Sequence, residues 1–222
     1  MSINIAIDGP AGAGKSTIAK QLAKELGYVY VDTGAMYRAM GYYFITNGIG
    51  ADDEAAIAEA CPNVKISLTY EDGVQNVWLN GENVSSVIRQ EEVGKMASAS
   101  SVYPVVRTKL VELQQELAKT TDVIMDGRDI GTVVLPNADV KIYMTASSAI
   151  RAKRRFDELT AKGLECNLDE IEKDIIERDY RDMNRETSPL KKADDAVELD
   201  TSYLDIEGVV KAMQEIISNK IK

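Results

Sequence analysis

Along this chain, short apolar runs alternate with longer stretches in which apolar residues return every three or four positions. Five of the runs read as strands: Ile3–Ile7, Tyr28–Val31, Val123–Met125, Val140–Met144 and Val197–Leu199. Short apolar segments bounded by polar or turn residues suit strands buried on both faces. Four of them run into an aspartate, namely Asp8, Asp32, Asp126 and Asp200, and the carboxyl ends of strands in an open parallel sheet are where ligands bind. Helical patterns separate the strands, which predicts an α/β fold with right-handed crossovers.

The first helix starts at Lys15 and carries Ile18, Leu22 and Leu26, with Gly27 placed as its C-terminal cap. A second starts at Pro104, a favoured first-turn residue, and runs to about Lys119, and a third has Ser147 as N-cap and ends before Gly163. Two stretches depart from a minimal doubly wound sheet. Val64, Ile66 and Leu68 alternate, the chain turns at Asp72-Gly73, continues through Val77–Leu79 and turns again at Asn80-Gly81, the pattern of a small antiparallel meander. Residues 151–187 are charged and arginine-rich, which suits a cover more than a core element. The expectation is a P-loop kinase fold in a single domain over 1–222, with a five-stranded parallel sheet flanked by helices. Its core takes 1–31, 104–150 and 188–222. An acceptor-binding insertion takes 32–103 and contains the small sheet, and a helical lid takes 151–187.

At 222 residues and 45% hydrophobic, the chain can bury one sizeable core. Its formal charge of −10 argues against a nucleic-acid polymer as partner, which needs a broad cationic face. Against that acidity the ten arginines are unevenly spread, six of them between Arg151 and Arg185. Cys61 and Cys166 form no CxxC pair, so neither a disulfide framework nor a zinc site is suggested, and the absence of histidine removes Ser-His and Cys-His nucleophile pairs. No apolar run reaches 18 residues, and no hydrophobic leader precedes the first strand. A soluble, cytoplasmic, monomeric protein without membrane contact is expected.

The chemistry enters at residues 9–16, which read GPAGAGKS between the first strand and the first helix. Gly9, Pro10, Ala11, Gly12, Ala13 and Gly14 form a loop whose backbone N–H groups can turn inward on phosphates, because glycine tolerates the dihedrals this requires. Lys15 adds a charge for the β and γ phosphates. Ser16, followed by Thr17, offers a hydroxyl to Mg²⁺, and the helix beginning there points its positive dipole end at the anion. ATP with Mg²⁺ is the implied ligand, and a P-loop phosphotransferase the implied class.

The motif leaves the output open. A guanine-specific switch needs N-K-x-D, yet the Asn219-Lys220 pair has no aspartate after it, and Asp205 to Gly208, the sole D-x-x-G, lies past the last predicted strand. A kinase of small anionic acceptors instead needs arginines from several segments converging on a second phosphate. Arg38 in DTGAMYR, Arg107 after Pro104 and Arg128 in MDGRD meet that need. Arg178, Arg181 and Arg185, spaced i, i+3, i+7, share a predicted helix face with Asp182, near Arg151, Arg154 and Arg155. Such a face is also consistent with a solvated helix stitched by Asp174-Arg178 and Glu177-Arg181 pairs. Asp126 either organises Mg²⁺ or braces Gly127 and Arg128. An acceptor such as UMP, AMP or shikimate, and a non-catalytic ATP-binding regulator, remain alternatives here.

The stretches IAIDGPAGAGKST at 5–17, DTGAMYR at 32–38, MDGRDIGTVVLP at 125–136 and ERDYRDMNR at 177–185 resemble the bacterial-type cytidylate kinases, a branch of the nucleoside monophosphate kinases. The likeness covers nearly the whole chain, and the 64–84 meander is similar to the extra small sheet that separates this family from adenylate kinases. The resemblance implies transfer from ATP to CMP or dCMP with Mg²⁺. It implies Thr33, Arg38, Arg128 and Arg185 around the acceptor phosphate, Ser98, Arg107 and Asp129 at the cytosine, and Arg178 and Asp182 at the ribose. It also implies a catalytic set of Lys15, Arg128, Arg178, Arg181 and Arg185, with Arg154 on the ATP side. Ser98 lies in ASASS, where a serine can equally satisfy a helix backbone, and Trp78 and the tyrosines read as packing.

Overall fold

The computed structural model describes residues 2–71 and 73–221. Among them, strands β1 (Asn4–Asp8), β2 (Val29–Asp32), β6 (Val123–Gly127), β7 (Val140–Thr145) and β8 (Val197–Asp200) form one parallel sheet in the order β2-β6-β1-β7-β8. The five expected strands are all present, each extending through the polar residue that follows its apolar run. A separate antiparallel sheet holds β3 (Ile66–Glu71), β4 (Val74–Leu79) and β5 (Glu82–Asn83). This is the predicted meander, although Asp72 of its first turn lies outside the described residues.

Alternation along the strands sends side chains to two cores. On one face Ile5, Ile7, Ile124, Ile142 and Met144 meet Ile18 and Leu22 of α1 (Lys15–Leu26) and Val210 and Met213 of α8 (Ile206–Lys220). On the other, Ala6, Val31 and Met125 meet Met36, Met40 and Phe44 of α2 (Thr33–Thr46) and Leu110 of α5 (Pro104–Thr120), and this core continues into the meander through Ile66, Val77 and Leu79. Helix α3 (Glu54–Ala60) adds Ile57 and α4 (Glu91–Ser100) adds Val93 to it. The meander is also tied to the main sheet by polar bonds: the Asp32 N–H donates to Gln75 Oε1 at 2.9 Å, and Gln75 Nε2 donates back to the Asp32 carbonyl at 3.4 Å.

Helix ends follow the capping residues. Gly27 closes α1 in the left-handed conformation at φ 73°, and Ser147 caps α6 (Ser148–Ala161) by accepting from the Ile150 N–H. Asn167 caps α7 (Leu168–Asn184) by accepting from Asp169 and Glu170. Helices α6 and α7 together occupy most of the arginine-rich 151–187 stretch. No helix among the described residues is long and apolar enough to cross a membrane.

Candidate active site

The parallel register sets Asp32 beside Asp126 and Asp8 beside Gly127, so three of the four strand-end aspartates meet at one edge of the sheet, buried. Asp200 does not join them, because it is exposed and accepts from the Ser202 N–H in a local turn.

The loop after β1 folds tightly over this edge. Gly9 has φ 147°, and a Cβ there would lie 1.9 Å from the Met144 carbonyl oxygen, so no other residue fits. Lys15 is buried, its Nζ donating to the Gly9 and Pro10 carbonyls at 2.8 Å each. Burial first, and then the nearby Arg128, pull its pKa down, so this ammonium lacks a full counter-charge. Ser16 Oγ donates to Asp126 Oδ2 at 2.7 Å, and Tyr30 Oη donates to Asp126 Oδ1 at 2.7 Å. Burial, and then Asp32, raise the Asp126 pKa, the mark of a carboxylate short of positive charge. Asp8 accepts the Ile130 and Gly131 N–H groups at 2.7 Å each, fastening the end of β1 to the turn that follows Arg128 and Asp129, and burial raises its pKa to about 6.

Facing this loop is an arginine-lined wall. Arg128 Nε donates to Asp182 Oδ2 at 2.8 Å. Arg107 forms a buried ion pair with Asp129, donates to the Ser101 carbonyl at 3.2 Å and lies 5.4 Å from the centre of the Tyr37 ring. Arg185 donates through Nε to the Ser188 carbonyl at 2.7 Å and stands 3.7 Å from Asp129 and 3.8 Å from Asp182. Arg38 and Arg178 make no ion pair among the described residues, and burial leads in lowering both their pKa values, that of Arg178 to about 10. The two walls enclose a cavity of about 260 Å³, lined by eight cations and only four carboxylates. Arg107 Nε, Arg178 Nε and Arg185 Nη2 are buried without a hydrogen-bond acceptor. A site with orphaned donors and excess positive charge is built for anions.

Of the residues singled out from sequence, Ala11, Gly12, Lys15, Ser16, Thr33, Arg38, Ser98, Arg107, Arg128, Asp129, Arg178, Asp182 and Arg185 all line this cavity. Gly9, Pro10, Ala13 and Gly14 build the loop behind it, and Thr17 is exposed. Arg154 sits beside the loop, bonded to the Thr201 carbonyl at 2.7 Å and the Ala13 carbonyl at 3.4 Å. Thr33 Oγ1 donates to the Asp126 carbonyl at 2.7 Å. Arg181 does not line the cavity and its side chain is exposed, about 100° around α7 from Asp182. Arg178, Asp182 and Arg185 do share one face toward the cavity, Arg185 as the C-cap of α7, whose N–H still bonds to the Arg181 carbonyl at 3.0 Å.

Sequence reasoning passed over Tyr30, Tyr37 and Arg89, and named Arg151 only as a member of the arginine cluster. Arg89 and Tyr37 line the cavity, and Arg151 bridges the Ala11 carbonyl at 3.0 Å and Asp179 at 2.5 Å. Tyr30 alone carried a readable signal, standing two residues before Asp32 and therefore on the same strand face.

The cytidylate kinase family model matches residues 5–219. A cytidylate kinase of Lactobacillus johnsonii is 53% identical over 220 residues, covering 99% of this chain and 96% of that protein. One from Flavobacterium johnsoniae is 51% identical, covering 99% and 98%. Among solved structures, an uncharacterized protein from Eubacterium ventriosum shares the fold at a TM-score of 0.52 and 12% identity, covering 99% of both chains. With a family model matched almost end to end and half of all residues shared with such relatives, the chain belongs to the cytidylate kinase family.

Proposed function

We infer that the protein transfers the γ-phosphoryl group of ATP to CMP or dCMP, giving ADP and CDP or dCDP. The observation that carries this reading is the pairing, across one cavity, of a phosphate-binding loop with an arginine wall whose buried donors lack acceptors. Two phosphate-bearing substrates would neutralise that excess charge. An oxygen of the acceptor phosphate attacks the γ-phosphorus, ADP leaves, and catalysis is mainly positioning and electrostatic stabilisation. Lys15 and the 9–14 loop serve ATP, with Arg154 beside them. Arg38, Arg128 and Arg185, with Thr33, serve the acceptor phosphate. Arg178 and Asp182 serve the ribose, and Ser98, Arg107 and Asp129 the base. Residues 32–103 act as the acceptor-binding insertion and 151–187 as the lid.

The residues present fit Mg²⁺. Asp126 and Asp32 are adjacent buried carboxylates, and burial and mutual repulsion raise the Asp126 pKa, a strain that a divalent cation relieves. No group of three or more acidic, cysteine or histidine side chains among the described residues forms a protein-only cage. That suits Mg²⁺, which is held by few side chains together with substrate phosphates. Ser16 and Asp126 would hold it, and it would supply charge for the β and γ oxygens.

An ADP-release assay with MgATP and CMP, dCMP, UMP, AMP and shikimate tests the reading. CMP and dCMP are expected to turn over, with UMP lower in kcat/KM by up to ~10⁴. Equal rates with AMP or shikimate would reject the acceptor, and ATP binding without acceptor-dependent turnover would reject the kinase.

A further inference from the structure

The Asp126 carboxylate faces Ser16, and its orientation has a cause outside the phosphate loop. A carboxylate at the end of a side chain turns about its Cβ–Cγ bond with little resistance. Here each oxygen has a separate hydroxyl donor, Ser16 Oγ on Oδ2 and Tyr30 Oη on Oδ1, both at 2.7 Å. When Oδ2 takes the Ser16 proton, the lone pairs of Ser16 are left free to face a cation. Oδ1 has no part in that contact, and the Tyr30 hydroxyl holds it.

Tyr30 is itself fixed from several sides. It is 5% exposed, belongs to the core beneath α1, and carries the Lys20 ammonium 5.5 Å from its ring centre. Its backbone is held in β2, which pairs with β6, the strand that carries Asp126. A hydroxyl at the end of a packed ring is a rigid donor, more so than a solvent molecule or a long flexible side chain would be. We propose that Tyr30 is a positioning residue for the cation-binding edge of the site: its hydroxyl locks the Asp126 carboxylate in the rotation that keeps Ser16 poised toward a divalent cation. This rests on the reading of Ser16 and Asp126 as the Mg²⁺ side of the ATP site.

The test is Tyr30→Phe, which removes one oxygen and keeps the ring in its packing. Affinity for ATP is measured by calorimetry with excess Mg²⁺ and again with EDTA, and bound Mn²⁺ is followed by electron paramagnetic resonance in the ternary mixture with ATP. Partners that orient metal ligands typically matter by 10- to 100-fold, so the variant is expected to bind ATP unchanged in EDTA but to lose ~10-fold in its preference for the metal complex. Its Mn²⁺ signal is expected to broaden as the coordination becomes heterogeneous. Turnover is expected to recover in part at high Mg²⁺, a response that a packing defect would not give. An unchanged metal preference, or an equal loss with Mg²⁺ and with EDTA, overturns the role of Tyr30. If the wild-type protein binds ATP alike in both conditions, the Mg²⁺ reading fails first and this inference falls with it. Should Tyr30→Phe fold poorly, Tyr30→Met, which also lacks the donor and fills the same space with an adaptable apolar side chain, takes its place and is judged by the same ratio.

Discussion

Lys15 enters the folded chain already stripped of water and bonded only to the carbonyls of Gly9 and Pro10, so its charge is available for an incoming phosphate. Lys15→Met is expected to fold, because glycine backbone geometry holds the loop, and to lose at least ~10³ in kcat, the scale of an electrostatic stabiliser; near-normal turnover in the folded variant would count against the loop's assignment. Asp129 differs, since it is itself a partner of Arg107 and Arg185. Cytosine offers an N4 amino donor beside an N3 acceptor, and uracil reverses both polarities. A carboxylate beside a guanidinium matches the first and opposes the second. Asp129→Ala is therefore expected to lose most of the CMP-over-UMP preference, chiefly through loss of CMP activity, and also ~3–5 kcal/mol of stability, because buried Arg107 loses its counter-charge and Arg185 one of its two. Wild-type discrimination in that variant would exclude Asp129 as reader of the base. Asp8 supplies the pH dependence. Burial raises its folded pKa from 3.8 to about 6, so the folded state holds the proton more tightly than the unfolded chain. Its contribution to stability is therefore greatest below pH 3.8 and falls as pH rises to about 6. Relative to Asp8→Asn, the wild type is expected to lose ~3 kcal/mol over that window, read from urea melts of the nucleotide-free proteins at successive pH values.

At the scale of elements, the arginine-rich helices are docked mainly by polar contacts. Arg151 joins α6 to the loop at Ala11 and to Asp179 on α7, and Arg128 joins the end of β6 to Asp182 on α7. Meanwhile Ile176, Tyr180 and Met183 of α7 remain exposed. A helix pair with so little apolar burial belongs to the low-stability end of a fold. Hydrogen exchange of α6 and α7 is expected to be fast in the free protein and at least ~10-fold slower with a bisubstrate analogue, as bound anions relieve repulsion among the arginines; equal protection in both states would remove the lid. These elements also mark how far the sequence was legible. Strands and caps were read from local pattern, because apolar runs, Gly27 and Ser147 act on their own neighbours. The cavity residues of the motifs were legible through strand ends and family likeness. Arg181 faces solvent where Arg178 faces the cavity, because i, i+3 spacing does not say which of two neighbours on a helix turns inward. Tyr30, Arg151 and Gln75 act across 96, 28 and 43 positions of sequence, and no local pattern carries such pairs.

For the whole molecule, charge is distributed in opposition: the chain carries −10 overall, while the cleft between the sheet edge and α7 gathers eight cations against four carboxylates. Acidic surface keeps polyanions at a distance, and the cleft selects anions small enough to enter. Two kinds of salt effect should then separate. Sodium chloride screens the surface repulsion and raises stability slightly and without saturation. Pyrophosphate at equal ionic strength enters the cleft, meets the buried donors of Arg107, Arg178 and Arg185, and stabilises by mass action. A ligand present at 100 times its Kd contributes ~2.7 kcal/mol, which for a chain of this size raises Tm by roughly 5–10 °C. A bisubstrate analogue should reach that figure at far lower concentration than pyrophosphate, because it occupies the loop and the arginine wall together. Differential scanning calorimetry with matched ionic strength reads all three conditions. A saturable rise with pyrophosphate beyond that with chloride is the expected result. If the two salts superpose, the excess charge of the cleft is already compensated within the fold, and the anion-binding reading of the arginine wall fails irrespective of which nucleotide the enzyme prefers.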